Sequence, residues 1–106
     1  MDLKKYNNLL VLADQKRTEY VPLSQIVYAE TFKGITKLHI AQPASLITKN
    51  SLREVLMVID DNSFMEINDS QFINKAFIKN INEQERLLTT SLEHKLLFLK
   101  KQLLKI

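Results

Sequence analysis

The chain has 106 residues, of which 45% are hydrophobic and 25% charged, with a net charge of +3, one glycine and no cysteine. This balance fits one soluble globular domain spanning residues 1–106 and argues against disorder. It excludes disulfides, cysteine metal sites, thiol nucleophiles and glycine-rich phosphate loops.

Residues 8–13 (NLLVLA) read as a strand. Residues 21–24 read as a short edge or turn, because Pro22 cannot donate a ladder hydrogen bond. Residues 25–31 form a strand with Ile26, Tyr28 and Glu30 on one face and Val27 and Ala29 on the other. Residues 32–35 make a hairpin loop in which Gly34 takes a positive φ, and residues 36–41 return. Residues 42–44 turn the chain into a further short strand at 45–48.

The clearest element is a helix over about residues 50–60. Ser51 and Glu54 have capping-box spacing, and Leu52, Val55, Leu56 and Ile59 make one apolar stripe. Asp61, Asn62 and Ser63 end it. Residues 64–67 and 71–73 are strand-like or irregular. Residues 76–81 and 86–90 look like a strand pair, residues 95–99 like a strand, and residues 100–106 like a short terminal helix. Many short strands around one helix predict a mainly β fold.

Charge is segregated. Residues 31–53 hold Lys33, Lys37, Lys49 and Arg53 without an acid, and residues 54–74 hold five acids without a base. The tail adds Lys95, Lys100, Lys101 and Lys105. If the fold joins the two basic segments they make a phosphate-binding surface; otherwise they are solvated surface of mixed sign. The longest strongly apolar run, residues 55–59, is too short to span a membrane, and residues 1–6 hold no signal-peptide core, so the expected compartment is the cytoplasm. His39 and His94 lack metal-ligand spacing, the acids Asp60, Asp61, Glu66 and Asp69 frame no calcium loop, and no serine sits in a nucleophile elbow. The expectation is a protein without a metal, a cofactor or a catalytic site.

Four stretches then fall in a telling order: LSQIVYAE at 23–30, NSLREVL at 50–56, DDNSFMEINDSQFIN at 60–74 and AFIKNI at 76–81. Together they resemble the LytTR-type DNA-binding domain of bacterial response regulators, with its I-x-Y-x-E, hairpin, S-L-x-E, F-x-R-x-H-R-S-x-x-V-N and I-x-x-I pattern. The match runs over about residues 21–106. The resemblance implies an elongated sandwich of short β-strands with one main α-helix and a short C-terminal helix. It also implies that loops enter successive major grooves of double-stranded DNA while other groups grip phosphates. Targets would be paired repeats, with a second copy of the protein alongside, and neither a membrane nor a small-molecule substrate is implied. Members are often fused to a receiver or sensor domain. None is present in these residues, so the chain is a stand-alone regulator or a piece of a longer protein.

Carried over by position, the DNA-binding candidates are Lys33, Thr36 and Lys37 in the first loop, Asn68, Asp69 and Ser70 in the second, and Lys100 and Lys101 near the end. Each has a plainer alternative. Lys33 and Lys37 are also ordinary solubilising lysines, Lys100 and Lys101 a charged helix face, and Asn68 a turn residue bonding its own backbone. Ser70 and Asn74 are expected to hold the loop more than to touch DNA, and Phe64, Phe72 and Phe77 to fill the core. The sequence departs from the pattern at Glu66, where a base is common, at Asp69, where Arg or Asn is common, and at Leu99, where serine is usual. Carboxylates there repel phosphate, although they can accept from a cytosine amino group. A second reading follows: a LytTR-like protein-interaction module with weakened or lost DNA binding.

Overall fold

A computed structural model describes residues 2–42 and 45–99, which hold eleven strands and one α-helix. They extend over 46 × 24 × 23 Å. The first sheet is N-terminal: β1 (Asp2–Tyr6), β2 (Leu9–Ala13) and β3 (Thr18–Pro22), in that order. Strand β1 was not foreseen, since only Leu3 of its residues turns an apolar side chain toward the core. Asn7, at φ 53°, makes the tight turn into β2. Pro22 ends β3 at an open edge of this sheet, where its missing N–H breaks no ladder. A 3-10 turn, Leu23–Gln25, follows in place of a further edge.

The central sheet has five strands in the order β6-β5-β4-β8-β7, built from β4 (Ile26–Phe32), β5 (Ile35–Ile40), β6 (Ser45–Thr48), β7 (Phe64–Asn68) and β8 (Gln71–Asn74). The third sheet joins β9 (Ile78–Asn82), β10 (Leu87–Thr90) and β11 (Lys95–Leu97) as antiparallel neighbours. The expected terminal helix and Lys100 and Lys101 lie outside the described residues.

Alternation along the central strands sends neighbouring side chains to opposite faces. Ala29, Leu38, Phe64 and Phe72 enter one core with Leu10, Leu12 and Val21 of the N-terminal sheet. Tyr28, Met65 and Ile73 enter a second core with Leu88, Leu96 and Phe98. The central sheet is therefore covered on both faces at β4 and β8, while Ser45 and Ile47 of β6 stay exposed.

The helix α1 (Leu52–Ile59) lies on the first face, burying Val55 and Ile59. Its capping box forms: the Glu54 amide donates to Ser51 Oγ and the Ser51 amide to Glu54 Oε1, both at 3.2 Å. Asp60 closes it in the left-handed region at φ 42°. Below the cap, Thr36 Oγ1 donates to the Asn50 carbonyl at 2.8 Å and Thr48 Oγ1 to Asn50 Oδ1 at 2.7 Å. These bonds fasten the start of α1 to β5 and β6.

Candidate nucleic-acid interface

The β4–β5 hairpin closes through Lys33 and Gly34, at φ 51° and 82°. Two consecutive positive φ values suit a tight hairpin connection that follows the strand twist. The sequence foresaw this conformation for Gly34 and not for Lys33. The turn holds the Lys33 side chain out at the tip, where it is exposed.

The second expected loop, Asp69 and Ser70 between β7 and β8, comes to the same end of the sheet. The Thr31 amide donates to the Ser70 carbonyl at 2.8 Å. Glu30 lies opposite Gln71 in the adjacent ladder. Segments well separated in sequence thus form one continuous edge. The end of the described chain reaches it too: the Leu99 amide donates to the Ile67 carbonyl at 2.8 Å, and Asn68 Nδ2 donates to the Leu97 carbonyl at 2.7 Å.

The individual candidates fare differently. Lys33, Asp69 and Ser70 are exposed, and Lys37 is half-buried beside the tip. Thr36, a DNA-binding candidate of the first loop, is fully buried, and its hydroxyl is engaged by Asn50. It has no surface to offer a base edge. Asn68, a DNA-binding candidate with a turn alternative, holds its own loop. Its Oδ1 accepts from the Ser70 amide at 2.8 Å, and its Nδ2 donates to Gln71 Oε1 at 2.8 Å as well as to Leu97. This is the turn alternative read from the sequence. Asn74 is also structural: buried, it donates to the Ile26 carbonyl at 3.0 Å and accepts from the Ala76 amide at 3.0 Å.

Two features were missed. Phe32 is 47% exposed at the hairpin tip, with Lys33 Nζ at 5.5 Å and Lys37 Nζ at 6.0 Å from its ring centre. Its alternation with Glu30 was the available signal. Along the same face, Tyr28 stacks on His39 at 4.2 Å, and His94 of the β10–β11 turn stands 6.1 Å from His39. His39 Nε2 lies 2.7 Å from Glu30 Oε2. Burial holds His39 below its ordinary value, against the upward pull of Glu30. Burial and the Glu30 carboxylate push the Tyr28 phenol up to about 12. An open groove of about 480 Å³ runs past His39, His94, Lys37, Gln42 and Ser45.

A model of the LytTr DNA-binding domain matches residues 16–103. The chain belongs to the LytTR family. Its fold also matches a solved LytTr DNA-binding domain from a Bacillus cereus protein described as a methyl-accepting/DNA response regulator. That match has a TM-score of 0.72 and 21% identity, covering 86% of this chain and 85% of the other. No curated protein matches. The LytTR match begins inside the loop before β3, so β1 and β2 lie outside it. No helix among the described residues is long and apolar enough to cross a membrane.

Proposed function

We propose that this LytTR domain is a sequence-specific reader of double-stranded DNA that serves transcription regulation. It presents the Lys33 hairpin and the Asp69–Ser70 turn to major-groove edges, while Lys37, Lys100 and Lys101 neutralise phosphates. The observation that carries this reading is the 2.8 Å bond from the Thr31 amide to the Ser70 carbonyl, which makes one recognition edge of two distant loops. A two-stranded ribbon of this kind fits a major groove, and lysine ammonium groups supply sequence-independent grip on phosphates. Two copies bind side by side on paired repeats.

Fluorescence anisotropy against random-sequence duplexes, scanned over salt, tests the proposal. Wild type should bind with affinity that falls steeply as salt rises and should enrich a repeated motif from the pool. Replacing Lys33, Lys37 and Lys101 with alanine should weaken binding to all sequences and reduce the salt slope by about one for each lysine that pairs a phosphate. A triple variant that binds as tightly as wild type at every salt concentration removes this site.

One observation favours the second reading, an interaction module with weakened DNA binding. Asp69 stands exposed at the tip of the second loop and takes part in no ion pair among the described residues.

A further inference from the structure

Hairpin tips are ordinarily polar, because nothing covers them. This tip exposes a phenylalanine. Phe32 lies opposite Ile35 in the last rung of the β4–β5 ladder, on the face that carries Glu30 and Lys37. Tyr6, Tyr20 and Met57 are also exposed, on the N-terminal sheet and α1, and so are Ile47 of β6, Leu92 between β10 and β11, and Leu97 of β11, but none of them stands at the hairpin tip. Phe32 alone has two ammonium groups held within 6.0 Å of its ring among the described residues.

The charge around it identifies what fits. An aromatic ring flanked by two cations suits a partner that offers an apolar spot between rows of negative charge. An apolar protein surface leaves both ammonium groups unpaired at the contact, whereas the DNA major groove is walled by phosphates. The apolar group on its base edges is the thymine C5-methyl. The groove is about 12 Å wide and admits a two-stranded ribbon, so the tip can enter ring first with its lysines toward either wall.

We infer that Phe32 is a specificity-determining residue that reads a thymine methyl group in the major groove. This rests on the DNA-binding reading above and adds a base preference to it. Lys33 and Lys37 draw the ring toward the groove without distinguishing sequences. Phe32 makes the A·T pair at one position better than the alternatives.

The test uses the duplex that wild type enriches from the random-sequence pool. Each thymine is replaced in turn by deoxyuracil, which pairs identically and lacks the methyl group. Loss of one buried methyl, about 0.8 kcal/mol, corresponds to about a fourfold weaker affinity. Wild type should lose about that factor at one position in each repeat. Phe32→Ala should bind the thymine duplex more weakly by at least the same factor and no longer distinguish thymine from uracil. Phe32→Leu, which keeps an apolar contact, should retain part of the discrimination. Unchanged thermal midpoints for both variants exclude a folding effect. If wild type binds in a salt-dependent manner but ignores every uracil, or if Phe32→Ala still discriminates, the role of Phe32 is overturned and the DNA reading stands. If wild type shows no salt-dependent affinity, both fall together.

Discussion

Thr36 and Asn68 carry side chains able to read bases, but Thr36 is buried and Asn68 is engaged within its own loop. Thr36 holds Asn50, and Asn68 holds Ser70, Gln71 and Leu97. That leaves Asp69 and Ser70 as the exposed polar residues of the second loop, and only Asp69 carries a charge. A carboxylate on an edge that approaches phosphate opposes binding at any sequence. Asp69→Asn keeps its size and removes its charge. Affinity for random-sequence duplex should rise several-fold at low salt, with the gain shrinking as salt screens the interaction. Anisotropy titrations measure this directly. An unchanged affinity would mean that Asp69 faces away from the backbone. The identity of these residues was legible in the sequence, but their orientation was not. Thr36 turns inward because it pairs with Thr31 and Thr48 on the face that α1 covers, and that face is set by packing between distant segments.

At the scale of elements, local chemistry decided what could be read. Ser51 and Glu54 announce the start of α1, and the apolar stripe announces the buried face. Ser51→Ala removes the hydroxyl that accepts from the Glu54 amide and should cost about 1 kcal/mol in urea denaturation. The loss should extend to the interface, since the Asn50 segment is also what Thr36 and Thr48 hold. The hairpin at Gly34 was equally plain, because one glycine between two alternating runs has few other uses. Strand β1 was hidden for the opposite reason. Its residues form a strand because β2 offers an edge with Leu3 opposite Leu12, and nothing in Asp2–Tyr6 alone asks for it. Strand β3 was hidden by Pro22, which is tolerated because it falls at an edge.

At the scale of the molecule, His39 and His94 link the central sheet to the C-terminal one through Tyr28. The folded protein favours the neutral His39 ring, so its value lies below the ordinary 6.5. Unfolding releases the ring to take up a proton at that ordinary value. The stability this contributes is complete above about pH 6.5 and is lost as the pH falls toward the lower folded value. Asp14, Glu54, Asp61 and Glu93 are also held below their ordinary values, the highest of which is 4.5, so their losses come at lower pH. Thermal midpoints should therefore fall between pH 7 and pH 5 in wild type and fall less in His39→Gln. Equal slopes in the two proteins would place the titration elsewhere.

Among the described strands, every pairing joins neighbours in sequence except β4 with β8, which is made through Tyr28, Ala29 and Glu30. A hairpin closes a short loop, whereas this one ladder closes a loop that holds β5, β6, α1 and β7 and so costs more chain entropy. The Thr31–Ser70 contact lies just beyond its last rung. The ladder that joins non-neighbouring strands thus also brings the two loops together. A nascent or partly opened chain carries both loops without the edge they form together, so under the proposed function a chain that has not closed this ladder should bind DNA more weakly than the finished fold.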